Sequence, residues 1–221
     1  MNNLDFQFLM PYMHQFVDAG KITLQLGIWT FFISLLLSIM IGFLRAYKTP
    51  KIIKFILGVY VEIFRGTPLL VQLFLIYYGL PYFNITLEPM TCAIIGLSLN
   101  SAAYMSEIIR GAILSIDKGQ YEAAFSLGYS KVKTYIQIIL PQSFRVALPS
   151  LMNSFASIIK ETSLVSIISI AEITRVGNQI YARTLRPFEV YLVIALIYLV
   201  MTYSISLLAK FIEGRSTRWS Q

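Results

Sequence analysis

Long uncharged stretches alternate with short clusters of charge along this chain, and the uncharged stretches set the first expectation. They run over 22–44, 66–87, 89–106, 146–159 and 190–209. A helix crosses the hydrocarbon of a bilayer with about 20 apolar residues. All but the stretch at 146–159 are near that length, and that one resumes beyond Lys160 and Glu161 as TSLVSIISIA. The pattern predicts an all-α integral membrane protein with five transmembrane helices, one of them interrupted, forming a single membrane domain over 1–221. Ahead of the first stretch, Phe6, Phe8, Leu9, Tyr12 and Phe16 predict an amphipathic helix lying at the interface. Asp5 and Asp18, with no basic cluster before them, set this segment apart from a cleaved signal peptide. The longest connection, about 117–144, carries Tyr121, Ala124, Phe125 and Leu127, then Val132, Tyr135, Ile136 and Ile139. That spacing predicts two short amphipathic helices joined near Gly128.

Composition reinforces the membrane reading. The AVILMFWYC set makes up 57% of the 221 residues and charged residues 13%, against about a quarter charged in ordinary soluble domains. Disorder and collagen-like architecture are excluded. A net charge of +7 on a soluble protein would point to nucleic acid; on a membrane protein it reports topology, and no nucleic-acid partner is expected. Arg45, Lys48, Lys51, Lys54, Arg65, Arg110, Lys118, Lys131, Lys133, Arg145, Lys210, Arg215 and Arg218 fall on one side of the predicted spans. Lys21, Arg175, Arg183 and Arg186 fall on the other. The positive-inside rule then puts the N-terminus outside and the C-terminus and the 117–144 connection in the cytoplasm.

One cysteine, Cys92, and one histidine, His14, leave no metal site and no internal disulfide. Cys92 reads as a small buried hydrophobe and His14 as an interfacial residue. Tyr77, Tyr78, Tyr82 and Phe83 suit an aromatic belt. The chain has no phosphate-binding loop and neither H-E-x-x-H nor G-x-S-x-G. It should not hydrolyse ATP, and no cofactor is expected in it.

The 117–144 connection contains EAAFSLGYSKVKTYIQIILP. Glu122, Ala123, Ala124, Gly128, Ile138, Leu140 and Pro141 match every fixed position of E-A-A-x3-G-x9-I-x-L-P. This is similar to the signature of the membrane subunits of bacterial ABC importers. The residue types make sense without the family: small Ala123 and Ala124 let a helix seat closely in a partner, Gly128 permits a sharp turn, and Pro141 is expected to end the second helix. The alternative is an ordinary solvated hairpin with Glu122 paired to Lys118 or Lys131. A second block, Arg65, Gly66, Thr67, Pro68, Leu69, Leu70 and Gln72, and the stretch GLSLNSAAYMSEIIRGAILSIDKGQYEAA resemble the polar-amino-acid branch of these permeases. Within that branch IYYGLP, GLSLN, SAAY and SIDKGQ are most similar to L-cystine permeases.

The resemblance implies a type I importer permease fold in the bacterial cytoplasmic membrane, with lipid around it and a second permease copy or paralogue beside it. It implies a cytoplasmic ATPase dimer that binds ATP and Mg, with Glu122, Ala123, Ala124 and Gly128 as the coupling element. It also implies an extracytoplasmic amino-acid-binding protein, docking on the outer loops near 84–89 and 172–188. Glutamine, arginine and histidine are alternative substrates. An ATP-independent carrier would explain the buried polar residues but not the EAA match, and a permease-like scaffold or sensor is a third reading.

Ionisable residues inside spans mark pathways by default. Asn100, Tyr104 and Glu107 share one helical face, and Glu161 with Asn100 and Thr162 could hold the ammonium and carboxylate of a zwitterion. The competing readings are helix-end ion pairs, Glu161 with Lys160 and Glu107 with Arg110.

Overall fold

The computed structural model describes the backbone of residues 5–217 and the side chains of residues 5–211. Arg218 and the side chain of Arg215, assigned above to the basic tail, lie outside these bounds. A 3-10 segment, Gln7–Tyr12, leads into α1 (Met13–Ala46). Then come α2 (Lys51–Gly66), α3 (Leu69–Phe74) with a π turn Leu75–Gly79 and a 3-10 turn Leu80–Phe83, and α4 (Pro89–Leu114). α5 (Lys118–Ser126) and α6 (Lys131–Thr134) follow, and a π turn Tyr135–Ile139 joins α6 to α7 (Leu140–Glu161). A 3-10 run Thr162–Ile168, α8 (Ile173–Thr184) and α9 (Pro187–Thr217) complete the order. Among the described residues there is no strand.

Among the described residues three helices are long and apolar enough to cross a membrane: Gln7–Ala46, Pro89–Leu114 and Pro187–Phe211. Two more candidates are broken pairs, Lys51–Gly66 with Leu69–Phe83 at 106° and Lys131–Ile168 with Ile173–Thr184 at 52°. Counting each bent pair as one span gives up to five candidate spans among the described residues.

Both breaks depart from the sequence expectation. Lys160 and Glu161 do not interrupt a helix, since α7 runs through both; that break comes later, where Ser169 turns left-handed at φ 71°. The stretch at 66–87 is only the second half of its span. Its first half is α2, which the charges Lys51, Lys54, Glu62 and Arg65 had disguised as a loop. α2 ends because Pro68 disfavours helical backbone at the residue before it, and Thr67 is extended at φ −119°, ψ 146°.

α1 and α4 form the central pair. Thr23, Gly27, Thr30, Ser34, Ser38 and Gly42 of α1 are all buried, a small-residue seam of the kind that lets membrane helices approach closely. At Gly42 an added Cβ would lie 2.7 Å from the Ser106 carbonyl oxygen. The Ser34 hydroxyl donates to the Ser98 carbonyl at 3.2 Å.

Around this pair the core has an end cluster (Leu9, Phe16, Ile173, Val190), a middle cluster (Leu26, Leu73, Leu97, Val165) and an opposite-end cluster (Met105, Ile109, Ile139, Leu151). Leu9 and Phe16 are thus buried against α8 and α9, where the sequence predicted a helix resting on the interface. Arg186 completes this attachment: it donates to the Asp5 carboxylate at 3.0 Å and lies over the Phe8 ring, 4.9 Å from its centroid. The Gln7 backbone N–H and the Arg186 guanidinium hold the Asp5 carboxyl below its ordinary range.

Candidate functional site

α4, α7 and the end of α2 enclose a cavity of about 780 Å³. From α7 come Ser150, Asn153, Ser154, Ser157 and Glu161; from α4, Asn100, Ser101, Tyr104 and Glu107; from α2, Arg65. The α7 residues recur at i, i+3, i+4, i+7 and i+11 and therefore share one helical face. Ahead of Glu161 this stripe carries no charge, so no ionisable residue marks Ser150, Asn153, Ser154 and Ser157 in the sequence. Its signal was there as Ser and Asn at helical period within an otherwise apolar stretch. A smaller cavity of about 420 Å³ adjoins the break between α2 and α3 and is again lined by Arg65, Asn100, Tyr104 and Glu161.

The expected site residues take different roles. Glu107 is held by guanidiniums: Arg110 donates from Nε at 3.0 Å and Nη2 at 2.8 Å, and Arg45 of α1 donates from Nη1. The ion-pair reading of Glu107 is therefore realised, with Arg45 as an added partner. It ties α1 to α4 and leaves the carboxylate little capacity for a ligand. Glu161, partly buried, makes no ion pair or hydrogen bond among the described residues, so the alternative pairing with Lys160 is not formed. Thr162 is fully buried and donates to the Ile159 carbonyl at 2.7 Å, away from both cavities. Among the cavity's buried side chains, the Ser101 hydroxyl, 5% exposed, has no hydrogen-bond partner among the described residues. Arg65 lies over the Tyr104 ring, 5.3 Å from its centroid.

Asn100 is engaged at the break. A helix end leaves its last carbonyls without donors, and α2 ends beside the middle of α4, where side chains supply them. Thr67 Oγ1 donates to the Ile63 carbonyl at 2.8 Å. Gln72 Nε2 and Asn100 Nδ2 reach the Phe64 carbonyl at 2.9 Å and 3.0 Å. The Tyr104 hydroxyl meets the Arg65 carbonyl at 3.4 Å. Asn100 Nδ2 also donates to Gln72 Oε1 at 3.0 Å. The amide once expected to meet a zwitterion thus caps the backbone.

The hairpin carrying the EAA residues is built as its spacing predicts up to its far end. The Asp117 carboxylate caps α5, accepting from the Gly119 N–H at 2.7 Å. Gly128, at φ 79°, is the left-handed residue that closes a Schellman-type end: its N–H bonds the Phe125 carbonyl and that of Tyr129 bonds the Ala124 carbonyl, both at 3.0 Å. Ala124 is buried inside the hairpin, while Glu122 and Ala123 face out. Glu122 makes no ion pair with Lys118 or Lys131 among the described residues.

Phe125, Leu127, Val132 and Ile136 are exposed by 43%, 77%, 57% and 57%, a large apolar face for a solvated hairpin. Pro141 does not end the second helix as expected. It sits in the first turn of α7, and because it lacks an N–H for the Gln137 carbonyl the ladder loosens into the preceding π turn. The hairpin is fastened to α1 by rings: Tyr121 meets Tyr135 at 5.5 Å, and Tyr135 meets Tyr47 at 4.7 Å and Phe43 at 5.8 Å. Burial and the neighbouring Tyr135 push the Tyr121 hydroxyl up to about 12.

At the opposite end, 172–188 is mostly not a loop. Glu172 is fully buried and caps α8, accepting from the Thr174 and Arg175 N–H groups at 2.9 Å and 2.7 Å and from the Tyr198 hydroxyl at 2.7 Å. The exposed tip there is Leu185, at φ 54° and 77% exposed.

The family model for binding-protein-dependent transport system inner membrane components matches residues 17–218. The L-cystine transport system permease protein TcyB of Bacillus subtilis is 44% identical over 198 residues, spanning 89% of this chain and 84% of that protein. The glutamine transport system permease protein GlnP of Escherichia coli is 35% identical over 213 residues, spanning 96% and 97%. A chain in the crystal structure of an amino acid ABC transporter with histidines superposes with a TM-score of 0.90 at 39% identity, covering 97% of this chain and all of that one. The fold is that of type I importer permeases, and the chain belongs to the binding-protein-dependent transport system inner membrane components, as an amino-acid ABC transporter permease and not an enzyme.

Proposed function

We propose that this permease moves L-cystine into the cytoplasm, fed by an extracytoplasmic binding protein and driven by a separate ATPase dimer that binds ATP and Mg. The carrying observation is the cavity lined by Arg65 and Glu161, of opposite charge and without ion-pair partners among the described residues. Its volume lies within the range of small-molecule sites, about 300–1,000 Å³. A zwitterion needs a cation for its carboxylate and an anion for its ammonium, and these two residues supply both. Cystine has two zwitterionic heads, and a two-fold pair of permease copies offers two such charge pairs. The similarity to the cystine permease supports the same substrate.

The exposed face of the hairpin fits a groove on the ATPase. Closure of the ATPases would press on Glu122–Gly128 and move the spans so that the cavity opens outward, with the N-terminus outside and the C-terminus in the cytoplasm. An ATP-independent carrier leaves that face unexplained. The test is uptake of labelled L-cystine by cells carrying the chain with its ATPase and binding protein, beside an ATPase-dead control. Competitors are glutamine, arginine and histidine. ATPase-dependent uptake blocked only by cystine analogues supports the proposal. Suppression by another amino acid moves the substrate, and uptake without ATPase activity overturns the coupling.

A further inference from the structure

The break between α2 and α3 poses an electrostatic problem that its own residues solve. The C-terminal end of α2 carries orphan carbonyls and the negative pole of the helix. Cationic side chains are drawn to such ends and hydrogen-bond the last carbonyls. Arg65 is the cation closest in sequence, sits in the last turn of α2, and has five donors to offer. Left alone, it would fold back onto the Phe64 and Thr67 carbonyls and satisfy its own helix.

It does not, because other donors are already there. Gln72 Nε2 approaches the Phe64 carbonyl at 2.9 Å, the Thr67 carbonyl at 3.1 Å and Thr67 Oγ1 at 2.8 Å. Asn100 Nδ2 meets the Phe64 carbonyl at 3.0 Å and donates to Gln72 Oε1 at the same distance. Both amides are buried, Gln72 at 7% and Asn100 at 5% exposure. The Arg65 guanidinium makes no hydrogen bond or ion pair among the described residues and rests over the Tyr104 ring at the cavity wall.

We infer that Gln72 is a positioning residue: with Asn100 it caps the broken end of α2 and thereby keeps the Arg65 guanidinium free for the carboxylate of the transported amino acid. The inference rests on the reading of the cavity as the transit site. It also gives RGTPLLVQ a physical logic, in which the proline makes the break, the glutamine four residues later seals it, and the arginine before it is left available.

The test is equilibrium binding to the purified permease–ATPase complex. The ligands are the amino acid that wild type binds, from L-cystine, glutamine, arginine and histidine, and the amine lacking its carboxylate, which is cystamine for cystine. Arg65→Ala should lower the preference for the amino acid over the amine by about tenfold or more, the scale of a lost hydrogen bond to a charged group. Gln72→Met, close in size and without donors, should lower it comparably, and the double variant no further, because one effect acts through the other. Thr67→Val, a milder lesion at the same seal, should give a smaller shift in the same direction and keeps the test usable if Gln72→Met does not assemble.

Equal weakening of amino acid and amine in Gln72→Met and in Thr67→Val, with Arg65→Ala still lowering the preference for the amino acid, would reduce Gln72 to a structural role and overturn the inference alone. No binding by wild type, or unchanged preference in Arg65→Ala, would overturn the cavity reading together with it.

Discussion

The turn at Gly128 isolates a backbone conformation from every other effect of substitution. Its φ is 79° and a Cβ there would meet nothing within 4 Å, so replacing it brings strain without a clash. Gly111, exposed near the end of α4, is open in the same way but has ordinary helical backbone, which makes Gly111→Ala the matched control. A left-handed L-residue costs roughly 1–2 kcal/mol, less for Asn, whose short side chain bonds locally. A β-branched side chain is disfavoured further at positive φ. At the tip of an exposed hairpin this strain cannot unfold the bundle, but 1–2 kcal/mol shifts the hairpin's own equilibrium by about 5–30-fold. Coupled uptake and transport-stimulated ATP hydrolysis, measured on the reconstituted complex at equal protein, should fall in the order Gly, Asn, Ala, Val at position 128. Gly111→Ala should match wild type. Equal activity of Gly128→Asn and Gly128→Val would refute the argument, because it would mean that the left-handed turn plays no part in seating the hairpin.

Gly42→Val should lower the melting temperature of the detergent-solubilised protein, since a Cβ 2.7 Å from the Ser106 carbonyl oxygen forces α1 from α4 at a cost of about 1–3 kcal/mol; an unchanged melt would mean that the helices separate freely there. Glu107→Gln and Glu161→Gln should part company. The first strands Arg45 and Arg110 and should reduce the amount of folded protein, whereas the second should leave the melt unchanged and weaken amino-acid binding by about tenfold or more. The Asp5–Arg186 contact has a pH signature. Because the folded-state value of Asp5 lies below the ordinary 3.8, the contact's contribution is fully present above that ordinary value and is lost as pH falls through the depressed one. Protease nicking of the N-terminal segment should therefore be constant between pH 5 and 8 and rise only in stronger acid, and Asp5→Asn should remove the acid step.

Much of the fold was legible because apolar length is a strong signal: α1, α4 and α9 each contain an uncharged stretch, and each overruns it at one end by about two helical turns. α2 was hidden for a specific reason. Lys51, Lys54, Glu62 and Arg65 interrupt its apolar residues in sequence but not on its surface, so a search for uncharged runs missed a helical period. The hairpin of α5 and α6 was readable from Gly128 because a left-handed turn leaves a residue type as its trace. The capping role of Asn100 was hidden for the opposite reason. A buried amide looks the same in sequence whether it faces a cavity or a backbone carbonyl, and Asn100 does both: it lines the cavities and donates to the Phe64 carbonyl. Glu172 was placed in a loop because nothing in its neighbours announces that Tyr198, far along the chain, will close over it.

The ring cluster at the base of the hairpin makes α1 a lever. Phe43 and Tyr47 stack with their planes 14° apart, and Tyr135 meets both of them and Tyr121 edge to face. α1, at 34 residues, is a rod about 50 Å long at 1.5 Å per residue. Its far end is gripped by Phe16 in the cluster with Ile173 and Val190. A tilt imposed at the hairpin is expected to reach the opposite face of the molecule along this rod. Softening the joint with Tyr135→Leu should therefore lower transport-stimulated ATP hydrolysis by the reconstituted complex while the Phe16 cluster at the far end stays as it is.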